Sequence, residues 1–335
     1  MKSIALVVLN YNGITLLQKF INDLIVNSPE ADVVLIDNQS SDGSAHWFKS
    51  NYPDHQCIEL DKNYGYAGGY NEGLRQVKHS LYGLLNSDLW VPSQWLPPLL
   101  KQFKLHEEVA ILQPHILDYK KQSYFEYAGA AGGFIDQYGF PFCRGRILQN
   151  LEQDTGQYDQ TRAVFWASGA CFLIRSEVFW KLGGFDSDFF AHQEEIDLCW
   201  RAYNNGYKVQ SVGSSKVYHI GGVTLAPSVQ KVYLNHRNSL YMLAKNLPKH
   251  KRLSILFTRL LLDGFIGLGY LFQLKFLHLW AIIRAHFAFY QSFKRMVNKS
   301  TRKPQKTDYF FTVSILLNYF LRRRLYFSDL DKKFK

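Results

Sequence analysis

The residues best suited to chemistry fall in two short runs, Asn86-Ser87-Asp88 and Glu194-Glu195-Ile196-Asp197, with His219 further along the chain. Asn86-Ser87-Asp88 follows the apolar run 82–85 and so ends a strand. A carboxylate there can share a hard cation, Mg²⁺ or Mn²⁺, with a diphosphate, because such a cation needs only one or two protein carboxylates when phosphate oxygens fill out its shell. Glu194-Glu195 opens an amphipathic helix. Ile196, Leu198, Cys199 and Ala202 line one side, Asp197 and Arg201 have the i,i+4 spacing of an ion pair, and Gly206 suits a stop. The helix dipole favours carboxylates at this end and would keep one ionised, as a general base requires. Each run also has a plain structural reading. Asn, Ser and Asp are ordinary turn formers, acids are common at helix starts, and a lone histidine among apolar neighbours is usually packed rather than reactive.

The elements that must position these groups are legible as alternating patterns. Ile4–Leu9 is a continuous apolar run suited to a strand buried on both faces, ended by Asn10-Tyr11-Asn12-Gly13. A helical pattern through Leu16, Leu17, Phe20, Leu24 and Ile25 leads to a second run, 33–36, which ends in Asp37-Asn38. Strand, helix and strand in succession predict a parallel βαβ unit. A short strand at 58–60, a glycine-rich turn from Asn63 to Gly73 with a helix toward Lys78, and a strand at 82–85 follow. Polar groups therefore gather beyond the carboxyl ends of several strands, where open α/β sheets bind ligands. The pattern loosens between about 105 and 170, and 164–175 is again strand-like. The glycines at 65–73 do not follow the first strand, which argues against a dinucleotide-binding fingerprint.

With 335 residues and 47% hydrophobic content the chain can bury a full core, which excludes global disorder. Four dispersed cysteines, Cys57, Cys143, Cys171 and Cys199, indicate neither a zinc knuckle nor a disulfide framework, and the first apolar run is too short for a signal peptide. A cytoplasmic setting is expected. The net charge of +11 is unevenly placed: residues 1–244 hold 20 Lys+Arg against 24 Asp+Glu, and residues 245–335 hold 19 against 4. The expected division is accordingly 1–244 and 245–335. In the second part, 253–293 is rich in Leu, Phe, Ile, Trp and Tyr, but Arg259, Asp263, Lys275 and Arg284 interrupt it, which argues against a spanning helix. Apolar faces with scattered cations, including Lys294-Arg295, Arg302-Lys303 and Arg322-Arg323-Arg324, fit helices lying on an anionic membrane surface. A helical appendage packed on the first part is the plainer alternative. Nucleic-acid binding is the alternative of a different class, and the density of whole apolar faces argues against it.

Six segments in order, Leu9-Asn10-Tyr11-Asn12-Gly13, Ile36-Asp37-Asn38-Gln39-Ser40-Ser41-Asp42, Asn63-x-Gly65-x-Ala67-Gly68-Gly69-x-Asn71, Leu84-Leu85-Asn86-Ser87-Asp88, Gly183-Gly184-Phe185-Asp186 and Glu194-Glu195-x-Asp197-Leu198-Cys199-x-Arg201, resemble family 2 glycosyltransferases. The likeness is strongest to rhamnosyltransferase-type members of bacterial surface polysaccharide synthesis, and it spans roughly residues 3–240. The resemblance implies a GT-A fold with a mostly parallel central α/β sheet, and inverting transfer from a nucleotide-diphosphate sugar to a saccharide or lipid-linked acceptor. It places the donor on Asn10, Tyr11, Asp37, Asn38, Asn63, Gly68, Asn71 and Ser87. It also places the cation, Mg²⁺ or Mn²⁺, on Asp88 and His219, and the base on Glu195 with Glu194 beside it. The family's D-x-D motif falls on Asn86-Ser87-Asp88, so its first carboxylate is an amide here. That departure admits a catalytically impaired, sugar-nucleotide-binding homologue as the alternative. The resemblance and the basic second part together place the chain on the inner face of the cell membrane, as a peripheral protein.

Overall fold

The computed structural model describes residues 2–221, 228–300 and 305–331, so Arg302 and Lys303 lie outside the described residues. Strand β1 (Ile4–Asn10) is buried along almost its whole length because it lies between two parallel neighbours, β2 (Ala31–Asp37) and β4 (Leu81–Asn86), with β3 (Gln56–Glu59) beyond β2. Register explains how the polar strand ends meet. Asn10 pairs with Asp37 and Leu9 with Asn86, so the three strands finish level with one another. Helices α1 (Ile14–Val26), α2 (Ser44–Asn51) and α3 (Gly65–Leu74) connect them. Helix α3 ends before the expected Lys78, and its glycines let it lie directly on the sheet. A Cβ on Gly73 would stand 2.2 Å from Ile36 Cδ1.

The short β5 (Leu89–Trp90) and helix α4 (Leu96–Leu105) lead to β6 (Val109–Asp118). Part of the loosely patterned region then forms a small antiparallel sheet, β7 (Gly133–Ile135), β8 (Pro141–Cys143), β9 (Arg146–Ile147) and β10 (Asn150–Leu151). The single strand expected over 164–175 is two, β11 (Arg162–Val164) and β12 (Cys171–Arg175). Ser168 breaks it: its N–H donates to Gln113 Oε1 (2.8 Å) and its hydroxyl accepts from the Ala170 N–H (3.1 Å), local bonds that compete with a ladder. Helices α5 (Ser176–Lys181) and α6 (Glu194–Asn204) precede β13 (Lys208–His219). The large sheet runs β11-β13-β6-β12-β4-β1-β2-β3, with β5 paired to the far end of β13.

Beyond β13 come three long helices, α7 (Val229–Asn246), α8 (Lys249–Phe272) and α9 (Phe276–Asn298). Among the described residues α8 alone is long and apolar enough to cross a membrane by length and composition. The charges expected to interrupt it turn inward. Asp263 Oδ1 meets Arg259 Nε at 2.9 Å and His236 Nδ1 at 3.0 Å, and Oδ2 meets His286 Nε2 at 3.4 Å. Burial opposes ionisation of Asp263, but these three partners hold its carboxyl below the ordinary range. The charges thus cancel inside the α7–α8–α9 layer and leave α8's outer face apolar.

The chain end then returns to the first part. Phe327, which opens α10 (Phe327–Asp331), is fully buried and stacks on Phe134 with centroids 5.5 Å apart. Phe311 approaches the same ring at 4.7 Å, and the Ile315 N–H donates to the buried Asp136 carboxylate at 3.0 Å. The charge boundary at 244/245 falls in the last turn of α7, and residues on its far side complete the core under β7 and β8. Phe327→Ala is therefore expected to cost about 3–5 kcal/mol of stability, the usual range for truncating a buried aromatic. Equilibrium denaturation that shows less than about 1 kcal/mol would mean the chain end does not belong to this core.

Candidate active site

The strand ends are tied together before any ligand is considered. Asn10 Nδ2 donates to Asp37 Oδ2 and to Ser40 Oγ, both at 3.1 Å, and Ser40 N–H returns to Asp37 Oδ1 at 2.8 Å. Asn10 Oδ1 is buried with no hydrogen-bond partner, and a Cβ on Gly13 would come within 2.5 Å of it. Asn38 closes the next turn. Its amide donates to Asn63 Oδ1 and Gly65 O, each at 3.0 Å, and its carbonyl accepts from the Tyr64 N–H. Tyr11 stands out from this cradle with its ring exposed. Gly68 serves close packing, since a Cβ there would press on Tyr64 Cβ at 2.9 Å.

Asp88 lies in the turn between β4 and β5, and the antiparallel pairing of β5 with β13 sets His219 opposite Leu89. His219 Nε2 meets Asp88 Oδ1 at 2.9 Å, and Asn86 Nδ2 lies 3.3 Å from the same ring nitrogen. On the other side of the ring Nδ1 faces Glu126 Oε2 at 3.4 Å. Burial works against a charged His219, but Asp88 and Glu126 outweigh it and raise its pKa to about 10. The imidazolium supplies here the positive charge that a divalent ion would supply. A partly exposed carboxylate and an imidazole that would give up its proton on binding form a donor set that fits Mg²⁺ or Mn²⁺. Ser87 lies in the same turn, its hydroxyl 3.6 Å from where a Gly13 Cβ would be.

The acidic helix is not a solvated face. Glu194 is buried and Glu195 half-buried, and each has one carboxylate oxygen without a partner. Burial pushes Glu194 well above the ordinary carboxylate range and Glu195 up to about 7, which corrects the expectation that the dipole keeps the base ionised. Desolvation outweighs the dipole here. Glu195 lies over Gly169, whose Cβ would be 3.7 Å from the carboxyl carbon, and Tyr66 Oη donates to Gly169 O at 2.7 Å. The Asn86 N–H in turn donates to Ala170 O at 3.0 Å, so the 168–170 turn connects the acidic helix to the Asp88 step.

Backbone strain leads into this helix. Phe190, His192 and Gln193 all have positive φ (64°, 71° and 70°), a conformation that side chains disfavour and that surroundings must enforce. Helix α7 enforces it. The Asn238 amide donates to Phe189 O, Ala191 O and His192 O at 2.7–3.0 Å, and Arg237 Nη2 bonds Asp188 O and Phe189 O. Behind α6, the expected Asp197–Arg201 pair forms at 2.8 Å, and Lys245 Nζ lies 2.9 Å from Asp197 and 2.6 Å from Asp186. Burial disfavours the Asp197 anion, and Lys245 and Arg201 together hold its pKa below the usual value.

The structure thus brings Asn10, Asp37, Asn38, Asn63, Ser87, Asp88, His219 and the Glu194-Glu195 pair to one edge of the sheet. Asn71 is not among them. Its amide donates to Phe185 O (2.8 Å) and accepts from the Phe185 N–H (2.9 Å), so both ends serve to anchor the Gly183–Asp186 turn. Sequence reading missed Glu126, Asn238 and Lys245. The last two carried a signal, since an amide and an ammonium stand among the apolar residues that α7 buries, alongside Ser239 and Asn246. A second acidic group, His115, Asp154 and Asp159, has ligand atoms within 4.8 Å of one another, but Lys216 Nζ at 2.6 Å from Asp154 and 3.4 Å from Asp159 already supplies the cation there.

Comparison with known proteins agrees with this geometry. The family model described as glycosyl transferase family 2 matches residues 5–183. The low-salt glycan biosynthesis hexosyltransferase Agl10 of Haloferax volcanii is 27% identical over 256 residues, 73% of this chain and 78% of that protein. An N-acetylglucosaminyl-diphospho-decaprenol L-rhamnosyltransferase of Mycobacterium tuberculosis is 26% identical over 218 residues, 61% of this chain and 71% of its own length. Among solved structures, S. aureus TarS in complex with UDP-GlcNAc superposes with a TM-score of 0.55 at 15% identity, covering 90% of this chain and 84% of that one. GalNAc-T7 with UDP, GalNAc and Mn²⁺ gives 0.59 at 16% identity over 75% of this chain, which spans only about half (49%) of that protein.

The charge cluster behind α6 makes a direct prediction. Lys245→Met removes the cation that Asp186 and Asp197 share while Lys299 and Arg201 remain on one carboxylate each, so the loss is expected at the lower end of the range for a broken buried pair, about 3 kcal/mol. Denaturant titration reads the loss, and an unchanged midpoint would show the cluster to be dispensable.

Proposed function

This chain belongs to glycosyl transferase family 2 and has the GT-A fold, and we propose that it is an inverting hexosyltransferase acting on a lipid-linked or growing saccharide of the cell surface. The observation that carries the reading is the Glu195 carboxylate, one oxygen of which is buried without a partner, held beside Gly169 on the same sheet edge as the Asn10–Asp37 cradle and the Asp88–His219 pair. Asp37, Asn10, Asn38 and Asn63 hold the nucleoside of the donor, with Tyr11 over its open side and Ser87 toward the phosphates. Asp88 and His219 hold Mg²⁺ or Mn²⁺, which when bound neutralises charge on the departing diphosphate. Solved relatives in this fold carry Mn²⁺ with UDP and GalNAc or with GDP-Man.

In the reaction the acceptor hydroxyl oxygen forms its bond to the anomeric carbon while the bond from that carbon to the diphosphate breaks, and the nucleoside diphosphate leaves with the electron pair. Glu195 takes the hydroxyl proton. Its raised pKa makes it a stronger base than an exposed glutamate while still leaving much of it ionised near neutral pH. Glu194, more deeply buried beside it, is also pushed well above the ordinary carboxylate range, so the two carboxyls titrate as a pair. Glu126 positions His219 from behind, in the manner of the carboxylates that orient metal-ligating imidazoles. The 1–244 part carries this chemistry, and the basic second part holds it on the cytoplasmic face of the membrane, with no nucleic acid as partner. The name of the mycobacterial relative, which specifies a diphospho-decaprenol acceptor, supports a lipid-linked acceptor here.

Two measurements test this reading on a panel of nucleotide sugars with Mg²⁺ or Mn²⁺. Glu195→Gln is expected to lower kcat by about 10²–10⁴-fold with donor Kd nearly unchanged. Because the base must be unprotonated, wild-type kcat should rise with pH through about 7 and then level, following the Glu194–Glu195 pair. A variant that keeps wild-type turnover removes Glu195 from the reaction, and donor binding without turnover in the wild type favours the impaired homologue. Glu126→Gln should weaken Mn²⁺ binding in the presence of nucleoside diphosphate by about 10–100-fold. Calorimetry showing unchanged affinity would leave Glu126 a purely structural residue.

A further inference from the structure

The turn between α8 and α9 is built against the usual rule for ending a helix. The Lys275 N–H bonds Tyr270 O and the Leu274 N–H bonds Leu271 O, both at 2.9 Å, which is the paired closure of a Schellman motif with Leu274 at its left-handed position. Leu274 has φ +57°, where glycine is the ordinary choice because a side chain is strained. The leucine gains nothing within the molecule, since it is 73% exposed. Its neighbours repeat the pattern. Residues 271–277 are all exposed, and five of the seven, Leu271, Phe272, Leu274, Phe276 and Leu277, are large and apolar. Trp280 follows on α9, also exposed. From this tip the apolar face continues down α8 through Leu268, Phe265, Leu261, Phe257 and Leu253.

The tip has a definite place relative to the site. Val232 packs with Ala281 and Ile282, joined by Val229, Tyr233, Ile266 and Tyr270, so the hairpin tip lies at the N-terminal end of α7. Tyr270 at the tip lies close enough to Tyr127 for the two phenols to influence each other, and Glu126 beside Tyr127 faces His219 of the cation pair. The occupant is indicated by charge. From 264 to 300, the segment that contains the tip, the chain carries five Lys and Arg and no Asp or Glu, and the tip itself holds Lys275, long enough to reach a headgroup while its stem stays in an apolar phase. A protein partner of ordinary composition would meet a rim of mixed polarity, whereas here an apolar tip in a segment free of acids matches an anionic bilayer.

We propose that residues 271–277 form a wedge that inserts into the apolar phase of an anionic lipid bilayer and holds the mouth of the catalytic site against that surface. The inference deepens the functional reading, on which it rests only for the claim that the membrane brings the acceptor. Insertion at the tip orients the molecule, because Tyr270 beside the wedge lies within electrostatic reach of Tyr127, the neighbour of the Glu126 that faces His219. A lipid-linked saccharide then reaches Glu195 by diffusing in the membrane plane.

The test uses the full chain with vesicles of phosphatidylglycerol and phosphatidylethanolamine, read by co-sedimentation and by quenching of tryptophan fluorescence with brominated acyl chains. Phe272→Asp/Leu277→Asp should weaken binding by at least about tenfold, since each side chain contributes the burial of a large apolar group. Leu274→Gly separates insertion from folding: relief of the left-handed strain should keep or raise the thermal midpoint while vesicle affinity falls. The quenching should drop when Trp280 is replaced by Phe. Donor hydrolysis without vesicles should stay at the wild-type level in all three variants, so loss of hydrolysis in the wild type would sink the functional reading and not the wedge. Wild-type vesicle affinity in both Phe272→Asp/Leu277→Asp and Leu274→Gly overturns the proposal. So does a lipid-free dimer that Phe272→Asp/Leu277→Asp abolishes while vesicle binding stays unchanged, because the occupant would then be a second copy.

Discussion

Lys245 is only 3% exposed and bridges Asp186 and Asp197, which are themselves buried, and burying charges in this way is tolerable only because each is matched. The match decides more than local stability. Asp197 belongs to the helix that carries the Glu194-Glu195 pair, Asp186 to the turn that Asn71 anchors on α3, and Lys245 to the last turn of α7. Lys299, at the end of α9, reaches Asp186 and Asp188 from the same side, the latter at 2.7 Å. One set of charges therefore fixes the acidic helix to a sheet-facing helix in front and to the helical layer behind.

What is held in this way is a strained lead-in and two raised carboxyls. The positive φ values at Phe190, His192 and Gln193 persist because Asn238 and Arg237 accept no alternative geometry for the carbonyls they bind. The strain aims α6 so that Glu195 comes over Gly169, where burial raises its proton affinity. At the Asp88–His219 pair the sign is reversed. His219 sits between Asp88 and Glu126 and is held positive in spite of burial. In the proposed reaction burial makes the Glu195 base more basic, and the carboxylates that hold His219 positive would equally favour a cation in its place, to which the ring would give up its proton.

The elements legible in the sequence were those set by local pattern. The first parallel strands, the helix at 194 and the polar strand ends all follow from periodicity and turn chemistry within a few residues, and register then levels Asn10, Asp37 and Asn86 without further information. Asp88 and His219 stood out by residue type, but that they form one pair was readable only through resemblance, because their meeting depends on β5 pairing with the far end of β13. Glu126 lies in the weakly patterned stretch before 170, and its partner is far along the chain. The raised carboxyls escaped for a physical reason: the dipole can be read from position in a helix, whereas desolvation depends on what packs over it. The same holds for Arg259 and Asp263, which look like interruptions of an apolar helix until His236 and His286 are seen to enclose them.

The account stands on one direct displacement with Glu195 as base, and the configuration of the released sugar tests it without knowledge of the natural acceptor. Water serves as the acceptor when a nucleotide sugar is turned over alone, and proton NMR in the first minutes, before mutarotation, resolves the anomer produced. Direct displacement predicts the anomer opposite to that of the donor. Release of the donor's own anomer would contradict it, since retention requires either a second displacement or attack from the face of the leaving group, and neither gives Glu195 the role its position supports.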